Sequence, residues 1–145
     1  MIVSHRKLNC STQGHDDIVD LTESVQIAIA EVGVDTGQAA LLVEGSTAAL
    51  TTLEYEPGLV GHDIAAALER IAPRNGRYVH EETWHDDNGH SHVRASLIGP
   101  SLALPIVEGR VPLGTWQQIV LVDSDTRPRA RVIHMSVIGL GRETR

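Results

Sequence analysis

The chain reads as an α+β domain, a mostly antiparallel β-sandwich or barrel-like sheet with about two helices. Three observations predict this. Helical periodicity is confined to two stretches in the first half. Short runs of Val, Ile, Leu and Thr, separated by turn signals, dominate the second half. The length of 145 residues and the 41% hydrophobic content suit one domain with a core, residues 1–145. Helices so few and so early do not supply the crossovers of a doubly wound parallel sheet.

Residues 2–9 mix polar and apolar side chains and read as a strand; Ile18–Leu21 continues it or starts a second. A helix follows. Thr22 or Asp20 can cap it, and Asp20-Leu21-Thr22-Glu23 has capping-box spacing. Val25, Ile29 and Val32 fall on one side, and Gly33 is a natural left-handed stop. Asp35-Thr36-Gly37 reads as a turn, Gln38–Glu44 as a strand, and Ser46–Glu54 as the next, after Gly45. Pro57-Gly58 turns the chain. Ile64–Ile71 is a second, Ala-rich helix, which Asp63 can cap and Pro73 ends. Residues 74–89 are polar and read as an extended segment plus a functional loop, closed by the turn signal Asn88-Gly89. The remainder reads as antiparallel strands: His90–Ile98, Leu102–Val107 paired across Glu108-Gly109 with Arg110–Leu113, Gly114–Val122 and Arg129–Gly139. The tail, 141–145, is expected to fray.

The aromatic share is 3% with no Phe, so the core must be aliphatic. A net charge of -7 argues against a nucleic acid bound through a basic face, but not against a small phosphorylated ligand. Cys10 is the one cysteine, which excludes an intrachain disulfide and makes the cytoplasm the simple expectation. Cys10 itself reads as a small buried hydrophobe. No apolar run reaches the roughly 18 residues of a membrane span.

Chemistry concentrates between residues 80 and 92, which hold four of the eight histidines. On a strand, His90 and His92 would share one face, where two imidazoles can share a metal ion. His80, with Tyr78-Val79-His80 as a short neighbouring strand, is the expected third ligand; His85 is next. Glu81, Glu82, Asp86 and Asp87 add further donors. Three protein ligands would leave an open position, the pattern of a catalytic site. Zinc is the first expectation, magnesium or manganese the alternatives. The plain alternative is a solvated, His-rich hydrogen-bonding loop.

Four other groups are candidates. Ser46 and Thr47, after Gly45, can hold phosphate or carboxylate oxygens, or simply make a turn. Arg129 and Arg131 share a strand face and suit phosphate, or else pair with Asp123 and Asp125. Glu54 can act as a general base, or mark an exposed strand end. Trp116 can stack on a flat heterocycle or pack in the core, and Gln117 can hydrogen-bond a ligand. His5, His15, His62 and His134 are scattered and read as structural or exposed.

Several stretches together resemble a known family: Gly45–Glu54, Tyr78–His80, Asn88–Ser101, Leu104-Pro105, Gly109-Arg110, Leu113–Gln118 and Arg127–Arg131. They are similar to the YjbQ-like family, also described as secondary thiamine-phosphate synthases, over essentially the whole chain. The resemblance implies a compact α+β subunit of YjbQ-like fold, assembled as a homotrimer, with a pocket near the subunit interface. It implies condensation of hydroxymethylpyrimidine diphosphate with thiazole phosphate, giving thiamine phosphate and pyrophosphate. Carried over by position, the polar motif falls on Ser46, Thr47, Glu54, His80, Asn88, His90, His92, Gln117 and Arg129. Glu54, His80 and Arg129 would be catalytic; Ser46, Thr47, Asn88, Trp116, Gln117, Arg129 and Arg131 would hold substrate; His80, His90 and His92 would hold the metal. Many members have a histidine where this chain has Gly45, a role that is either missing here or filled by His85 or His62. Two rival functions remain open: a metal-dependent hydrolase or lyase of another small phosphorylated metabolite, and a non-catalytic trimeric protein that binds a metabolite or metal.

Overall fold

A computed structural model describes residues 1–142. Most of the tail expected to fray, residues 143–145, lies outside the described residues, whereas Gly141 ends a strand. Among the described residues there are seven strands: β1 (Ile2–Thr12), β2 (Asp17–Asp20), β3 (Val34–Val43), β4 (Ala48–Leu53), β5 (Ser101–Ile106), β6 (Gln118–Asp123) and β7 (Arg129–Gly141). Four α-helices accompany them: α1 (Thr22–Val32), α2 (Ile64–Ile71), α3 (Val79–Trp84) and α4 (Gly89–Ile98), with a π-helical turn at Leu59–Asp63 before α2.

Among the described residues the strands form two antiparallel sheets and no closed barrel. One has the order β1-β7-β3-β5, the other β2-β6-β4. Their facing sides enclose an aliphatic core that includes Leu41, Leu50, Ile119, Leu121, Ile133 and Met135. Helix α1 contributes Val25, Ala28 and Ile29 to it. The second sheet is covered on its other side too. There Ile18, Val120 and Val122 pack with Val60, Ile64 and Ile98 from the helical segments. Strand β6 is accordingly buried at Ile119–Asp123, as a strand covered on both faces must be. Among the described residues the first sheet is covered on one side only. Its outward positions include Val3, Leu42, Ile138 and Leu140, all exposed.

Helix α1 starts with Asp20 Oδ1 accepting from the Thr22 N–H and stops at Gly33, which is left-handed at φ 76°. The expected turn at Asp35–Gly37 instead lies inside β3, where the register shifts between Val34 and Thr36 as in a β-bulge. Leu102–Val107 does not form a hairpin with Arg110–Leu113. Strand β5 pairs with β3, leaving one bridge between Val107 and Arg110. Gly114–Gln117 precedes β6 rather than belonging to it.

The largest departure is at residues 78–98. Tyr78-Val79-His80 opens helix α3, and His90–Ile98 is not a strand but helix α4. Burial shows why. The buried residues of α4 are Gly89, His90, Ser91, Arg94 and Ala95, while Val93 and Ser96 face outward. That is a helical stripe, not an alternation. Asn88-Gly89 is therefore not a hairpin turn. Gly89 is where Tyr78 crosses the start of α4: a Cβ there would lie 2.5 Å from the Tyr78 Cβ. Among the described residues, no helix is long and apolar enough to cross a membrane.

Candidate functional site

Strand β4 separates the residues grouped by sequence. Ala48 pairs with Asp123 at one end and Leu53 pairs with Gln118 at the other. Five residue steps of about 3.3 Å set these ends roughly 17 Å apart. Ser46, Thr47, Arg129 and Arg131 belong to the first end. Glu54, Trp116 and Gln117 belong to the second, away from the histidines. Glu54 is an exposed strand end, and Trp116 is 73% exposed, so it neither packs in the core nor stacks in a pocket. Gln117 donates from Nε2 to Thr52 Oγ1 at 2.9 Å.

At the first end the arginines are already paired. Arg131 donates from Nε to Asp123 Oδ2 at 2.6 Å and from Nη2 to Asp123 Oδ1 at 2.8 Å and Thr47 Oγ1 at 2.7 Å. Arg129 Nε donates to Asp125 Oδ2 at 2.9 Å, and Thr47 Oγ1 donates to the same oxygen at 2.8 Å. The guanidinium groups therefore serve the ion pairs that the sequence left open as an alternative to phosphate binding. Burial alone would raise the Asp123 carboxyl, but the hydrogen bonds from Arg131, Thr12 and the Asp125 N–H hold it below the usual range. Asp125 is likewise held low against burial, by Thr47, the Thr126 N–H and Arg129. Cys10, packed beside the core, is pushed up by burial and by the Asp123 charge.

The three imidazoles assigned to a metal do not converge. On a helix, positions i and i+2 point about 200° apart. His90 turns inward and is 1% exposed; its Nδ1 has no hydrogen-bond partner. His92 points the other way and meets His80, with ring centroids 4.4 Å apart and planes tilted by 56°. His80 Nε2 lies 3.5 Å from Asp86 Oδ1, and the Asn88 amide, oriented to suit its neighbours, donates to both Asp86 oxygens at 3.0 and 3.1 Å. His85 ends α3 in the left-handed conformation at φ 56° and is exposed. Among the described residues, no three His, Cys, Asp or Glu side chains are grouped to hold a metal ion. The set His80, His90 and His92 thus does not fit a three-ligand centre. Burial lowers the affinity of His90 for a proton, with the Arg94 and Arg74 charges adding to it. Burial and the neighbouring His80 do the same to His92.

Two residues missed by sequence reasoning organise the region. Arg94 is 2% exposed. It donates to Asp16 Oδ2 at 2.5 Å, Glu69 Oε2 at 2.6 Å and the Ala72 carbonyl at 2.9 Å. Asp16 also accepts from Ser124 Oγ at 2.6 Å. The one signal available was Arg94 falling four residues after His90, the spacing of a helix face. Asp16 belongs to a run of left-handed residues: Gly14 at φ 76°, His15 at φ 56° and Asp16 at φ 65°. His15 and Arg74 line a cleft of about 440 Å³ together with Glu81, Asp86, Asp87 and Thr126. Asp86 joins this cleft to the His80–His92 pair.

The sequence profile described as "UPF0047 protein YjbQ-like" matches residues 6–140. A UPF0047 protein of Methanocaldococcus jannaschii, MJ1081, is 34% identical over 133 residues, covering 92% of this chain and 93% of that protein. The UPF0047 protein YjbQ of Escherichia coli O157:H7 is 40% identical over 88 residues, 61% of this chain and 63% of that one. Among solved structures, a YbjQ-like protein of unknown function from Sulfolobus solfataricus P2, SSO2532, superimposes with a TM-score of 0.88 at 30% identity, covering 95% of this chain and 98% of that chain. The expected thiamine-phosphate synthase activity is corrected by these findings. The relatives are named only as UPF0047 proteins, and the structural neighbour is described as of unknown function. None carries that activity in its name, and the two arginines expected to suit phosphate are paired with Asp125 and Asp123.

Proposed function

The chain belongs to the UPF0047 YjbQ-like family, and on that premise we propose that it is a self-associating, non-catalytic binding protein for a small polar metabolite. The observation that carries this reading is the strained loop at Gly14–Asp16 beside the cleft. Non-glycine residues in the left-handed region cost about 1–3 kcal/mol each and persist where the surroundings over-determine them, often at ligand sites. Here Arg94 and Ser124 fasten the Asp16 side chain, and the His15 N–H donates to the Asp125 carbonyl at 2.7 Å. His15 and Arg74 would take an anionic group of the ligand. Asp86, Asp87 and Glu81 would accept from its hydroxyl or amine donors. A phosphorylated or carboxylated metabolite of modest size fits that chemistry.

Support for self-association comes from the first sheet. Val3, Ile138 and Leu140 form an exposed apolar group on its open side, and no other part of the described chain covers it. Exposed apolar groups of this kind on sheet faces mark interaction surfaces. A homotrimer is the assembly we assign, in the cytoplasm.

The test is calorimetric titration of the protein with phosphorylated and carboxylated metabolites, with and without zinc, alongside product analysis. A saturable ligand that binds wild type, is lost in Arg74→Ala and yields no product supports the reading. Turnover of any bound compound overturns it.

A further inference from the structure

Away from the cleft, another pair of imidazoles meets on the open side of the first sheet. His134 on β7 is paired with Lys7 on β1, so His5 is its diagonal neighbour. Both side chains point outward, where diagonal pairs of this length can touch. His5 Nε2 and His134 Nδ1 are 3.0 Å apart, with the rings stacked at 5.1 Å between centroids. The other nitrogen of His134, Nε2, is bound to Glu44 Oε1. A carboxylate accepts, so the proton sits on Nε2 and His134 Nδ1 keeps its lone pair. A carboxylate behind an imidazole is the arrangement that orients metal-bound histidines.

We infer that His5 Nε2 and His134 Nδ1, with Glu44 behind His134, form a two-imidazole site for a divalent transition metal ion such as Cu2+, Ni2+ or Zn2+. The spacing suits it. Two nitrogens about 2.0 Å from one ion lie roughly 2.8 Å apart at a right angle and about 3.3 Å apart at the tetrahedral angle. The observed 3.0 Å falls between. His80 and His92 differ here, because His80 Nε2 is turned toward Asp86. The ion enters without a change of net protein charge. The proton that His5 Nε2 now donates leaves it, and the neutral ring takes up a proton at Nδ1. Both facing lone pairs are then free, and water completes the shell. Lys7, opposite His134, is the cation that opposes binding, and Glu44 is the neighbouring anion that favours it.

The test is titration of the full-length protein with Cu2+, followed by electron paramagnetic resonance, with Zn2+ as competitor. One Cu2+ per chain with two nitrogen ligands is expected. His5→Ala and His134→Ala should each weaken binding at least tenfold and lose the two-nitrogen signature. Glu44→Gln should keep the signature and weaken binding about tenfold, the usual effect of removing an orienting partner. Circular dichroism checks folding, and His134→Gln serves if His134→Ala is unfolded. Wild-type binding by His5→Ala overturns the site, as does a signature lost with His92→Ala instead. Light scattering runs in parallel. An unchanged mass on metal addition supports ligands from one chain; a metal-driven increase overturns that arrangement.

Discussion

Gly45 and Arg131 occupy complementary space: a Cβ built on Gly45 would lie 2.6 Å from Arg131 Nη1. Gly45 also holds φ at 100°, a conformation that other residues adopt only under strain. A side chain at position 45 and this Arg131 position therefore exclude each other. The two residues offered in place of a histidine there sit on other elements. His62 is on the π-helical turn, exposed and bound to Asp63, and His85 is exposed at the end of α3. Gly45→Ala should destabilise the fold by about 2 kcal/mol or more, from backbone strain and the displaced guanidinium. Urea unfolding reads this as a lower midpoint at unchanged slope.

The pair that Gly45 makes room for contributes to the stability of the protein in acid. Asp123 and Asp125 have lowered pKa values in the fold, so the unfolded chain binds their protons more readily. Their contribution is present above the unfolded value of about 3.9 and is lost as pH falls through the lower folded values. Asp123→Asn should flatten this acid loss while lowering stability at neutral pH, because buried Arg131 loses the carboxylate it binds through two nitrogens and keeps only Asp125, at 3.6 Å. Removing one partner of a buried pair costs about 3–5 kcal/mol. Chemical denaturation at a series of pH values from 2 to 7 measures both effects.

Periodicity made α1, α2 and the long strands legible. Val25 and Ile29 mark the face of α1, and Gly33 marks its end. It failed at α4, because the buried face of that helix is His90, Ser91, Arg94 and Ala95, with one apolar side chain among them. Hydropathy cannot reveal a polar face that is buried to serve Asp16, Glu69 and the Ser124 carbonyl. The candidate site was half legible. His80 and His92 do meet, but through two helices rather than two neighbouring strands. Ser46 and Glu54 both belong to the polar motif that the resemblance implies, yet an extended strand of that length carries its two ends far apart.

His90 offers a sharp test of that misread strand. It is enclosed with Nδ1 unpaired, which costs about 1–3 kcal/mol compared with a satisfied group. His90→Leu should therefore be neutral or stabilising, within about 1 kcal/mol of wild type, where loss of a metal ligand would be damaging. The pH response adds a second reading. The folded pKa of His90 is lowered, so its contribution is full above the unfolded value of about 6.5 and falls as pH drops from there through the folded value. His90→Leu should remove part of the stability loss seen below about pH 6.5. A variant that unfolds, or keeps the whole of that loss, contradicts the assignment.

The open face of the first sheet carries the last expectation. Val3 pairs with Ile138 in the register, and Leu140 lies next on β7, all three at least 49% exposed. Water-exposed apolar area is worth about 25 cal/mol per Å² when covered, so a few such side chains across an interface contribute several kcal/mol. A carboxylate placed among them would have to be buried without a partner on association, at a cost that exceeds that gain. Ile138→Glu and Val3→Glu should each shift the assembly toward monomer while leaving the subunit folded, since neither side chain belongs to the core. Light scattering gives the mass and circular dichroism the fold. A monomer mass for the wild type overturns self-association, an unchanged oligomer mass in both variants places the contact elsewhere, and an assembly broken only together with the fold makes these side chains structural rather than interfacial.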